Sequence, residues 1–179
     1  VRLRRPRAGP GDFDPAASAA RYETILSEAG LVDEGGDPPH IAERIASSPI
    51  RTAVVEAIDD WALCSRDRGR ISWLMAINRQ CDPDPRWRDR LRTPTRWTEV
   101  EHLRSLADDA DVHTEPIPLL LLLGSLLADS GEDAAAFLSR VQRARPSDFW
   151  ANFLLAEVLQ RQGGTEAAAF YRIAIALRP

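Results

Sequence analysis

The residues able to do chemistry are few and scattered. Glu101-His102 and Asp111-Val112-His113 are the acid–histidine neighbourhoods of the chain, which has 3 His in all. A metal centre would need a third ligand at a set spacing, and general-base work would need a nucleophile within reach of the imidazole. No HExxH, CxxC or GxSxG string accompanies either pair. Both therefore read as solvated surface. Asp59-Asp60, followed by Trp61, could hold a cation, but the acids read as facing water or pairing with Arg66 or Arg68 near a helix end. Asp82, Asp84 and Asp89 sit among Pro and Arg. They read as turn caps and local ion pairs, each worth little if exposed. Two cysteines, Cys64 and Cys81, are too few for a disulfide framework or a structural zinc site. Cys64 reads as a small core residue, and the pair fits a reduced, cytosolic setting.

The basic residues close several routes. All 23 are Arg; there is no Lys. A nucleotide-binding P-loop needs a Lys on the terminal phosphates, and a protein kinase needs its strand Lys. Schiff-base chemistry needs an amine. No catalytic residue, metal or cofactor is assigned, and the chain reads as no enzyme. The net charge of −4 gives no pull toward nucleic acid. The opening VRLRRPR carries four Arg in seven residues and reads as a solvated linker end. It starts on Val rather than Met and shows no signal peptide, which fits an internal cut. The longest apolar run, Ile117–Ala128, spans twelve residues, against about 20 for a bilayer. It predicts a buried helix and no membrane insertion.

The elements that position these residues are all helical, since no run of alternating β-branched residues occurs. Residues 1–11 read as a linker. Asp14-Pro15 predicts a capped helix that stops at Gly30. A short helix is expected over His40–Ser47, a longer one over Pro49–Ser65, and another over Gly69–Gln80. Arg86–Arg92 reads as a short charged helix, and Thr95 or Thr98 as the cap of a helix through Ala107. Trp61, Trp73, Trp87 and Trp97 read as packing anchors.

From Pro116 a period appears. Gly124 and Ala156 lie 32 apart, as do Gly131 and Gly163; Ala134 and Ala167 lie 33 apart, as do Pro146 and Pro179. Each unit reads helix, Gly turn, helix, Pro, with a small residue in the first helix that lets the second pack close. This pattern resembles the tetratricopeptide repeat. Leu155-Ala156 and Leu123-Gly124 sit where the family has Leu-Gly. Gly163, Ala167, Tyr171, Ala174 and Pro179 match its Gly, Ala, aromatic, Ala and Pro positions. Gly131, Ala134 and Pro146 do so in the earlier unit, whereas Leu138 and Val141 stand where an aromatic and Ala are usual. Over residues 12–179, the strings SPIRTAVVEAIDDWALCS, DPDPRWRDRLR and RPSDFWANFLLA are also similar to a region of bacterial, planctomycete-like serine/threonine protein kinases. In those proteins the region lies between the kinase domain and a repeat tail.

The resemblance implies an α–α superhelix: a helical cap region over 12–115, then two divergent repeats over 116–179. It implies a protein or peptide partner held in a groove lined by the first helix of each unit. The row would be Leu121, Ser125 and Asp129, then Asn152, Phe153, Glu157, Gln160 and Arg161, with Asn152 reaching peptide backbone. The same residues also read as ordinary exposed helix positions. Phe149 and Trp150 read as packing between units. Ala167–Leu177 has too many apolar sides for one neighbour to cover, and leaving two or three such residues wet forfeits about 1.5–3 kcal/mol each. The expectation is therefore that the natural chain continues past Pro179 with more repeats, or, if it ends there, that the last helix pairs with a second copy. The function this implies is a non-catalytic interaction module, the regulatory tail of a larger kinase. The alternative is a spacer or dimerisation segment without a groove.

Overall fold

In a computed structural model, residues 14–84 and 86–177 are described. The expected linker over 1–11 and the closing Pro179 lie outside them. Among the described residues there are ten α-helices and no strand. No helix is long and apolar enough to cross a membrane. The chain divides into two compact units at Pro94/Thr95.

The first unit holds α1 (Pro15–Glu28), α2 (Pro38–Ala46), α3 (Arg51–Cys64), α4 (Arg68–Cys81) and α5 (Arg86–Leu91). Asp14 caps α1 by accepting from the Ala16 and Ala17 N–H groups at 2.9 and 3.1 Å. Asp67 caps α4 through Gly69 and Arg70 in the same way. Helix α2 starts two residues before its expected position because Pro38 and Pro39 sit in its first turn, where a missing N–H costs nothing. Helix α1 packs on α3, and α4 packs on both α2 and α3. The core between them includes Leu26, Ile41, Ile45, Ile58, Trp61, Leu74 and Ile77. Trp61 and Trp87 are buried. Trp73 meets Trp61 edge-on at 6.2 Å and donates its indole N–H to the Gly36 carbonyl.

A charged cluster lies inside this core. Asp59 is buried rather than facing water, because Arg92 enters fully buried between it and Asp82. Asp82 accepts from the Asp84 N–H at 2.9 Å and forms ion pairs, as expected of a turn cap, but it is buried. The Arg92 Nε and one terminal nitrogen donate to the two Asp59 oxygens at 2.9 and 2.7 Å, and the other donates to Asp82 at 2.5 Å. Asn78 donates to Asp59 at 2.7 Å and to the Val55 carbonyl at 2.9 Å, while Arg88 reaches the second Asp82 oxygen at 3.0 Å. Two guanidinium groups thus face two carboxylates, so the buried charge is balanced. Asp60 accepts from the Tyr22 hydroxyl rather than from Arg66 or Arg68.

The second unit holds α6 (Val100–Asp109), α7 (Ile117–Asp129), α8 (Ala134–Ala144), α9 (Phe149–Arg161) and α10 (Ala167–Leu177). Helix α6, which lies before residue 116, packs on α7 within this unit. Neither Thr95 nor Thr98 caps α6. Glu99 occupies that position without a side-chain bond to the helix, its carboxylate being held by Arg96. Helix α7 is buried over Ile117–Gly124 and again at Leu127, as its composition predicts. It packs on α8, and α9 packs on α7, α8 and α10.

Two matched turns reverse the chain. Gly131 and Gly163 both take a left-handed backbone, φ 78° and 75°, which costs a residue with a Cβ about 1–2 kcal/mol. The N–H of the following residue returns to the carbonyl five back in each: Glu132 to Leu127 and Gly164 to Leu159, both at 2.9 Å. This is the Schellman closure, and it satisfies carbonyls that the helix end leaves unpaired. Gly124 and Leu138 stand seven residues either side of Gly131 and touch, as antiparallel partners do. In α10, Ala167 and Ala174 are buried, whereas Ile173, Ile175 and Leu177 are 39%, 65% and 37% exposed.

Replacing Arg92 by Ala removes one side of a buried charge set and leaves two carboxylates facing each other. The expected loss is about 3–5 kcal/mol, measured by urea denaturation followed by circular dichroism. A loss under about 1 kcal/mol, the range of exposed pairs, would contradict the role given to Arg92.

Candidate interaction surface on the last helix pair

The row of residues expected to line a groove splits in two. Leu121 is buried in the core of α7, and half-buried Ser125 donates to its carbonyl at 3.1 Å. Asp129 is exposed at the end of α7. Asn152 corrects the expectation that it reaches a ligand: it is fully buried. Its amide nitrogen donates to the Pro146 and Asp148 carbonyls at 2.9 and 2.8 Å, and its oxygen accepts from Gln142 at 3.2 Å. Both of its amide hydrogens go into fixing the turn before α9, and its oxygen joins that turn to α8.

The other four residues gather around Tyr171 of α10. Phe153 meets the Tyr171 ring at 5.8 Å, and the Tyr171 hydroxyl donates to Gln160 at 2.7 Å. Half-buried Glu157 lies close enough to raise the Tyr171 phenol further, after burial and against the pull of Arg161. Burial also pushes the Glu157 carboxyl up, opposed by Arg161. Phe149 stacks on Phe153 at 5.7 Å, and Trp150 crosses both rings edge-on. Phe149, Trp150, Phe153 and Tyr171 all stay half-buried, so the cluster shows aromatic surface beside exposed Ile175, one turn on from Tyr171. Such a surface suits burial of apolar side chains with one or two polar contacts. Tyr171 was missed as a candidate. The resemblance to the tetratricopeptide repeat put it at the aromatic position of its unit, but placing it against Gln160 needs the hairpin.

The groups singled out for chemistry do not assemble. Among the described residues no cluster of three or more His, Cys, Asp or Glu could hold a metal ion. His102 is buried, correcting its reading as surface, because it shares the packed side of α6 with Leu103 and Leu106. His113 is exposed, and its N–H donates to the Asp111 carboxylate at 3.0 Å. Asp84 pairs with Arg86 at the surface, and burial pushes the Asp89 carboxyl up. Cys64 is a buried core residue, as expected. Cys81 is buried too, and burial pushes its thiol up to about 11. No family model matches the chain, and none of the curated proteins or solved structures matches it.

Both thiols should be inert in the folded protein at pH 8. Ellman's reagent is expected to titrate neither until denaturant is added, and both thereafter. Fast reaction of Cys81 in the native protein would contradict a protonated, enclosed thiol.

Proposed function

We propose that this chain is a non-catalytic protein-interaction module of tetratricopeptide kind, the regulatory tail of a larger serine/threonine kinase acting in the cytoplasm. Its α9–α10 face receives an apolar segment of a protein partner. The observation that carries this reading is Ile175, 65% exposed, which lies one turn along α10 from half-buried Tyr171 and so adjoins its aromatic cluster. Exposed apolar surface continuous with aromatic rings is costly in water unless a partner covers it. Glu157, Gln160 and Arg161 supply polar contacts at its edge. The paired helices on either side of Gly131 and Gly163 support the repeat assignment. The kinase context rests on the similarity of the three sequence strings, and a kinase Gly-rich loop and catalytic Asp in the upstream coding sequence would bear it out.

A second reading is favoured by one feature: Arg172 is the only charge within α10. Such a face does not repel its own copy, so it could join two chains.

Light scattering separates the two. The interaction reading expects a monomer, and a partner whose retention on the immobilised chain falls about tenfold or more for Ile175→Asp and Phe153→Ala. Each variant should keep its helical circular dichroism. Retention unchanged by both variants overturns it. A concentration-dependent dimer that Ile175→Asp dissolves establishes the second reading instead.

A further inference from the structure

The end of α8 carries three arginines with no carboxylate partner among the described residues. Arg140 donates to the Ala107 and Ala110 carbonyls at 3.2 and 3.4 Å, and Arg145 donates to the His113 carbonyl. Together they clasp the turn between α6 and α7 onto α8. Arg143, one turn along α8 from Arg140, is exposed and has no hydrogen-bond partner among the described residues. Arg140 and Arg143 line a cavity of about 440 Å³ with Asp111, His113, Val112 and Ala144. Asp111 is the one acid in that lining, and it is engaged with its own turn. It accepts from the His113 N–H at 3.0 Å, and that bond, with a further one from Thr114, holds its carboxyl below the usual range. The lining therefore carries an excess positive charge in a chain of net charge −4. Val112 and Ala144 add an apolar wall beside the guanidinium groups.

We propose that this cavity is a binding site for a carboxylate on a short aliphatic stem, as presented by a glutamate side chain in an acidic segment of a protein partner. The unpaired Arg143 takes the carboxylate in a charge-assisted contact, to which the planar guanidinium is suited in bidentate form. The apolar wall takes the methylenes, and exposed His113 stands at the rim. Arg140 holds the turn that shapes the cavity and adds its charge from behind. The site lies on α8 and the α6–α7 turn and shares none of these residues with the α9–α10 face, so either can fail alone.

The test uses the whole chain, labelled with ¹⁵N, in low salt. Three probes are titrated: a short peptide of alternating Ala and Glu, the same peptide with Gln for Glu, and inorganic phosphate. The expected result is saturable shifts of the 110–113 amides and of the Arg143 side chain with the Glu peptide, and none with the Gln peptide. Arg143→Gln, at an exposed position that leaves the clasp intact, should weaken that binding about tenfold or more. Ile175→Asp should leave it unchanged. Absence of saturable shifts, equal binding by Arg143→Gln, or equal binding of the Gln peptide each overturns the proposal. So does saturation by phosphate with the Glu peptide silent, which would mark a site for a free phosphate group.

Discussion

Leu138 lies so close to Gly124 that a Cβ built on the glycine would stand 2.4 Å from its Cδ2 and 2.9 Å from its Cγ. Helices α7 and α8 approach this closely only because one of them presents no side chain at the crossing. Leu138 is fully buried, so it has no room to turn away. Much of the second unit follows from that approach. It sets how far α8 reaches back along α7 from the glycine turn. The same device recurs one period later in gentler form, with Ala156, Ala167 and Ala174 buried between α9 and α10. Alanine at these positions keeps the backbones near one another and leaves the bulky side chains to the flanks.

One consequence is that large apolar residues are pushed outward. On α7 they are covered, since α6, α8 and α9 all pack on it. On α10 the small residues face α9, and Ile173, Ile175 and Leu177 are left toward solvent. The surface proposed to receive a partner is thus the outer side of a hairpin built by the same rule as its covered neighbour. Arginine chemistry divides the two units in a comparable way. In the first, Arg92 is enclosed between two carboxylates, where a planar five-donor group can satisfy two acids at once. In the second, the arginines at the end of α8 bond only carbonyls or nothing, which leaves positive charge open to a ligand.

Local signals were the legible ones. Asp14-Pro15 announced the first helix, and Gly131 and Gly163 announced turns whose left-handed backbone needs no side chain. The all-α class followed from helical spacing and the absence of strand patterns. Long-range charge pairing was not legible. Arg92 ends RWRDRLR, a string that reads as a short charged helix, and its partners lie 33 and 10 residues away. Only the packing of α3, α4 and α5 brings them together. Asn152 misled for a related reason: a polar residue on a first helix looks available for binding until the turn beneath it is seen to use its amide. Leu138, which departs from the usual aromatic of the repeat pattern, fills the space above Gly124. That role needed both helices in place to be visible.

The most direct measurement of that close approach is a double-mutant cycle between Gly124→Val and Leu138→Ala, read by urea denaturation. If the crossing is limited by this one contact, cutting back Leu138 makes room for the valine. The double variant should then be more stable than the two single losses predict by at least about 1 kcal/mol. Losses that add to within about 0.5 kcal/mol, as independent sites do, would mean that α7 and α8 are not held by this contact, and the account of the hairpins would fail.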